Sequence, residues 1–324
     1  MLTKPIHTKI AYIVLLAAAL LLPFFIPDRY MFQIVIMSII FAISTSAMNL
    51  MTGFTGQLSL AHAGFFGIGA YGVANFTKMG ISFWIALPIS ALIAAFVGLL
   101  LGLLTLRTKG PYFAIVTLCF GVILYITAGN WIEVTGGHNG IFGIPRPSPI
   151  PIPFIGAIEF WSQTAQWYLV LAFLLLTLFV LNRVVYSVFG LGMMACRNND
   201  ALAEAVGINI FRTKLISFVL CNFIAAAAGG LYASTMGAVS PSAATYLLTF
   251  NFLIFMILGG MATLAGPVLG AFLIPIIMEA LQFLGDYRLL FFGALLIAAI
   301  IYFPQGVYGG LRQLNQKVAA WRQS

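Results

Sequence analysis

Apolar runs of about 20 residues recur along this chain with only short polar breaks between them. Such runs leave few solutions. In lipid every backbone N–H and C=O must be satisfied internally, so a run of that length folds as a helix. The side chains agree: 62% of the 324 residues are hydrophobic and 7% are charged, whereas a soluble domain carries roughly 25% charged residues. The runs also lack the roughly ten-residue alternation of a membrane β-barrel. The expected fold is therefore an all-α polytopic membrane protein, with a single transmembrane domain over residues 1–324.

Hydropathy predicts about ten transmembrane helices, at 10–26, 31–51, 58–77, 83–105, 111–129, 166–185, 214–236, 246–261, 267–284 and 288–303. The first follows Lys4 and Lys9 in the manner of a signal peptide. However, Pro23-Phe24-Phe25-Ile26-Pro27 offers no small-residue cleavage site, so it is read as a retained span. Basic residues set the orientation. With the N-terminus inside, eleven fall on inner segments: Lys4, Lys9, Arg107, Lys109, Arg183, Arg197, Arg212, Lys214, Arg312, Lys317 and Arg322. Four, Arg29, Lys78, Arg146 and Arg288, fall outside. Both termini are thus expected in the cytoplasm. The net charge of +8 is read as loops facing anionic lipid rather than as a nucleic-acid surface.

A polar island, Cys196 to Ile208, interrupts the apolar runs inside an inner loop of about 186–213. Asn199 suits a helix N-cap and Asp200 the positive end of the helix dipole. The Ala/Leu/Glu run favours helix, and Gly207 can take the left-handed turn that stops it. About two turns of helix are too few to stand alone in water. Such an element is either a docking peg for a soluble partner or a helix lying on the surface without one.

A second stretch, Met48 to Gly72, carries six glycines at 53, 56, 64, 67, 69 and 72. Glycines at membrane depth permit close helix packing, or broken helices where backbone lines a cavity. Gln57, Ser59 and His62 add polar groups that must find partners or line water. The reading is a span against the translocation path, packed through Gly64, Gly67 and Gly69, with a short non-helical lead-in around Thr52–Gln57. The competing reading is tight packing alone, with His62 merely hydrogen-bonded. A looser echo, Leu258 to Ala271, would suit a transporter built from two related halves. The outer loop of about 130–165 alternates proline at 145, 147, 149, 151 and 153, which implies a stiff, extended segment. It is either a landing surface for an external partner or a strap. Trp131, Trp161, Trp167 and Tyr168 stand where an interfacial aromatic belt would lie.

Catalytic chemistry is poorly provided for. Cys119, Cys196 and Cys221 have no paired spacing, and His7, His62 and His138 have no ligand spacing, so no metal site is expected. No Walker A motif, nucleophile elbow or His-Glu-x-x-His occurs. An ion-coupled secondary transporter would have to titrate His62 and Glu279, the latter near Asp286 and Arg288. A conducting role could also belong wholly to a partner.

Four motifs in order, Met48–Gly72, Thr135-Gly136-Gly137-His138-Asn139-Gly140-Ile141, Arg197–Ile208 and Gly259–Ala271, resemble the LivM-type permeases of branched-chain amino-acid ABC importers. The resemblance covers nearly the whole chain. It implies a bacterial inner-membrane subunit that works by alternating access, with no catalytic residue or cofactor of its own. ATP and Mg would be bound by two cytoplasmic ABC ATPases. It also implies a second related permease and an external solute-binding protein. Asn199, Asp200, Ala203, Glu204, Ala205, Gly207 and Ile208 would then form the ATPase-coupling helix, resembling the Glu-Ala-Ala…Gly permease loop with Val206 intervening before the glycine. Importers of urea, other amides or other amino acids look similar.

Overall fold

The computed structural model describes residues 19–310 apart from 24, 27, 109, 153–155, 288, 289, 292, 295, 298–300 and 302–305. Much of the expected spans 10–26 and 288–303, and the basic residues Lys4, Lys9, Lys109, Arg288, Arg312, Lys317 and Arg322, lie outside the described residues, as does Pro153.

The other eight apolar runs coincide with helices: α1 (Arg29–Asn49), α2 (His62–Lys78), α3 (Phe83–Thr105), α4 (Pro111–Asn130), α5 (Gln163–Val185), and, beyond the inner loop, three more. The loop itself holds α6 (Val188–Asn198) and α7 (Asp200–Ala205). The chain then continues as α8 (Ile210–Met236), α9 (Tyr246–Gly259) and α10 (Gly266–Ala280). Among the described residues five helices are long and apolar enough to cross a membrane: α1 with its extension to Phe54, α3, α4, α5 and α8. Of the other five expected, α2, α9 and α10 are cut short by non-helical segments at their ends, and two lie largely outside the described residues. Helix α6 is an addition, in a stretch read as loop.

α1 and α8 are the inner helices. α1 starts on Asp28, whose carboxylate accepts from Tyr30 N at 3.0 Å. Two of its hydroxyls turn back on its own carbonyls, Ser38 Oγ to Ile34 O and Thr45 Oγ1 to Phe41 O, so they need no outside partner in an apolar setting. α8 has 27 residues, roughly 40 Å of helix. It packs on α2 backbone to backbone. A Cβ at Gly69 would overlap the Ala226 carbonyl, and one at Gly229 the Phe66 carbonyl, the small-residue packing that substitutes for a hydrophobic drive in lipid. α3 instead turns Ile85, Leu92, Phe96, Leu100 and Leu104 outward.

Two small antiparallel sheets qualify the all-α expectation. β1 (Ile141–Phe142) pairs with β4 (Ala238–Val239), Ile141 opposite Val239. In the loop between α4 and α5, β2 (Ile150–Ile152) pairs with β3 (Gly156–Ile158). The prolines keep the segment extended, and a two-stranded ribbon has free edges that tolerate proline. The loop is pinned to α3 by Trp84 Nε1 donating to Ser148 O at 3.0 Å. Trp167 is a correction to the aromatic-belt reading: it is buried and donates Nε1 to Ala19 O at 3.1 Å. Trp131 and Trp161 are exposed.

Candidate functional site

The polar segment between α5 and α8 is built from capped pieces. Ser187 Oγ accepts from Gly190 N and starts α6. At Asn199 the backbone is extended (φ −162°, ψ 114°), which ends α6, and its Oδ1 accepts from Leu202 N at 3.2 Å, which starts α7. α7 stops where Gly207 takes φ +85°. There Gly207 N donates to Glu204 O and Ile208 N to Ala203 O, closing the last carbonyls. The result is six residues of helix with both ends satisfied.

Seen from outside, α7 offers an apolar knob. Leu202 is 66% exposed and Val206 76%, flanked by Glu204 and Ala205, while Ala203 faces inward. Its inner anchor is an ion pair: Lys214 Nζ lies 2.7 Å from Asp200 Oδ2, with the lysine side chain 8% and the aspartate side chain 45% exposed. Beside it, burial and then the Asp200 carboxylate push the Cys196 thiol above its ordinary range, so it stays protonated. Leu202, Val206 and Lys214 were not singled out from sequence. An Asp opening one helix with a Lys one turn into the next, 14 residues on, is the signal that points to the pair.

The glycine stretch forms a different kind of structure. α1 runs into a π-helical turn, Leu50–Phe54, and the non-helical segment is 55–61 rather than the expected Thr52–Gln57. The wider turn is set by Thr55 Oγ1 donating to Leu50 O at 3.0 Å and by Gln57 N reaching Met51 O at 3.1 Å, which carry helical bonding past Thr52. Two contacts tie this break to distant segments. A Cβ at Gly56 would lie 3.0 Å from Cγ of Arg197, so the break rests on the end of α6. Asn49 reaches the α9–α10 connection, donating Nδ2 to Thr263 O at 2.7 Å and accepting from Ala262 N at 2.9 Å. Ala262 there has φ +55°. Three of the four sequence motifs thus meet through Gly56–Arg197 and Asn49–Ala262. The fourth lies elsewhere, Gly140 pressing on the Val239 carbonyl beside β4.

His62 is enclosed by α1, α8 and α9. Nε2 donates to Ser44 O at 2.9 Å, which leaves Nδ1 as an acceptor for the Cys221 thiol at 3.5 Å, and Phe252 meets the ring edge-on. Gly64 faces Leu124, Gly67 faces Ala244 and Gly69 faces Ala226. Ser59 is buried and Gln57 half-buried. Neither a groove of about 430 Å³ beside α6, lined by Val188, Leu191, Gly192, Ala195, Ile208 and Thr213, nor one of about 380 Å³ beside Glu279 touches these six residues. Glu279 accepts from Tyr30 Oη at 2.8 Å, a partner not anticipated from sequence. Among the described residues no cluster of three or more His, Cys, Asp or Glu side chains could hold a metal ion.

The family described as "Branched-chain amino acid transport system / permease component" matches residues 30–300. The chain is 33% identical to the high-affinity branched-chain amino acid transport system permease protein LivM of Salmonella typhimurium (strain LT2), over 93% of this chain and 75% of that protein. It is 25% identical to the LivH permease protein of the same transport-system name in the same organism, over 87% of this chain and 95% of that one. It is also 25% identical to the ribose import permease protein RbsC of Escherichia coli (strain K12), over 85% of each. An apolar helical bundle that matches this family over most of its length is an integral membrane permease, and the chain belongs to the branched-chain amino-acid transport permease family.

Proposed function

We propose that this chain is the membrane permease subunit of an ATP-driven importer that moves branched-chain amino acids across the bacterial inner membrane by alternating access. Its termini are cytoplasmic. Two ABC ATPases dock from the cytoplasm and carry the ATP and Mg, a second related permease completes the pore, and an external solute-binding protein delivers the solute. The observation that carries the reading is α7: a short helix capped at both ends, presenting Leu202 and Val206 outward while seated on α8 through Lys214. A six-residue helix has no stability of its own, so its rigid presentation suits a docking role. The similarity to two permease proteins of one transport system supports a paired arrangement. The greater identity to the amino-acid permease than to the ribose permease supports the substrate class.

The discriminating experiment is reconstitution in proteoliposomes with leucine as the probe. Uptake that requires the ATPases, the second permease and loaded binding protein is the expected result. Gradient-driven uptake by this chain alone would overturn the proposal in favour of an ion-coupled transporter.

A further inference from the structure

Lys214 is a cation buried where the inner loop meets the core. Burying an ammonium is unfavourable unless it is paired, and the pairing here is asymmetric. Its partner Asp200 is half-exposed and is the first residue of α7. Between α7 and α8 the chain has only 206–209, with Gly207 in the left-handed region. That covalent link is short, and the ion pair bridges the two helices it joins.

The lysine also begins a buried stripe. Lys214, Phe218, Cys221, Ala225 and Ala228 recur at helical spacing down one side of α8, and all five are buried. Phe218 packs edge-on against Phe65 of α2 and Phe113 of α4, with ring centroids 5.9 Å apart in each pair. Cys221 meets His62, and one residue past Ala225 the Ala226 carbonyl meets Gly69. The ion pair therefore joins Asp200 to the face of α8 that packs on α2.

We infer that the Lys214–Asp200 ion pair is the rigid link between the α7 helix and the core, and that Lys214 is a positioning residue for transport. The inference rests on the ATPase-docking reading of α7 and adds to it the route by which force leaves that helix.

The test uses the complete importer, with both permeases, both ATPases and loaded binding protein, in proteoliposomes. Leucine taken up per ATP hydrolysed is the readout. Lys214→Met and Asp200→Asn should each lower this ratio by about tenfold. Lys214→Arg should keep it within about twofold of wild type, since the guanidinium still pairs with the carboxylate. The double variant Asp200→Asn/Lys214→Met removes the unpaired buried charge as well as the link. It should recover membrane yield while the uptake ratio stays low. A merely structural pair would recover both. A wild-type ratio in Lys214→Met or in the double variant would overturn the inference, as would a Lys214→Arg protein as impaired as Lys214→Met. If Lys214→Met fails to insert, the double variant carries the same test. A photo-crosslinking phenylalanine analogue at position 202 separates the two levels. With a crosslink to the ATPase and unaltered ratios, the docking reading stands and the link fails. With no crosslink in the wild-type background, the docking reading itself fails.

Discussion

The α7 helix and the Met48–Gly72 break are both short interruptions of an apolar bundle, yet they are held in opposite ways. Every bond that shapes α7 comes from within ten residues: Asn199 to Leu202, Gly207 to Glu204, Ile208 to Ala203. The break depends on residues far away in sequence, with Asn49 bonded to Ala262 and Thr263 and Gly56 resting on Arg197. One is locally encoded and attached at a point. The other is turned by its own Thr55–Leu50 and Gln57–Met51 bonds but is held in place by segments far away in sequence. A locally encoded element can be carried as a rigid piece, whereas a convergent one must rearrange when its neighbours move.

This contrast can be broken by substitution. Gly69→Leu should have the largest effect, because its side chain would enter the Ala226 backbone and neither helix can yield without moving the bundle. Overpacking of that kind costs about 3 kcal/mol or more, and membrane yield and thermal stability should both collapse. A stable, transporting Gly69→Leu protein would show that α2 and α8 are not clamped together. Asn49→Ala comes next. It leaves Ala262 N and Thr263 O unpaired, at about 2–3 kcal/mol, and should lower the unfolding temperature and loosen the α9–α10 connection in hydrogen exchange. If exchange at Ala262 stays slow, the connection holds without Asn49.

Gly207→Val tests the local side. A β-branched residue at φ +85° costs about 1–2 kcal/mol, enough to unseat α7 while leaving the bundle intact. Wild-type fold and yield with reduced uptake per ATP is the expected outcome, and unchanged uptake together with unchanged ATPase stimulation would remove α7 from the coupling path. Asn199→Ala is the mildest. Loss of the cap costs about 1 kcal/mol, and Asn199→Ser should restore what the alanine removes, as measured by the same uptake ratio.

Much of the local side was legible in the sequence. Helix positions follow from hydropathy because lipid offers no alternative partner for backbone polar groups. α7 follows from a cap residue, a helix-favouring run and a stopping glycine. The misses have different causes. The displaced break arises because Thr55 turns back to Leu50 rather than because of any glycine. Trp167 looked interfacial by position, but the Ala19 carbonyl took its N–H. α6 was hidden because apolar residues lie on both of its sides, Val188 and Leu191 exposed and Met193 and Cys196 buried, so no single apolar face marks it in the sequence. Lys214 counted from sequence as one more inner basic charge, and only its burial against Asp200 distinguishes it.

Sequence alone determined that this chain lives in a membrane as helices, and where the short polar helix α7 starts and stops, because backbone satisfaction and capping act over a few neighbouring residues. Tertiary structure decided which polar groups are enclosed: His62 against Ser44 and Cys221, Asn49 across to Ala262, Lys214 onto Asp200. Those partners lie on other helices, and only the packed bundle brings them within reach of a hydrogen bond.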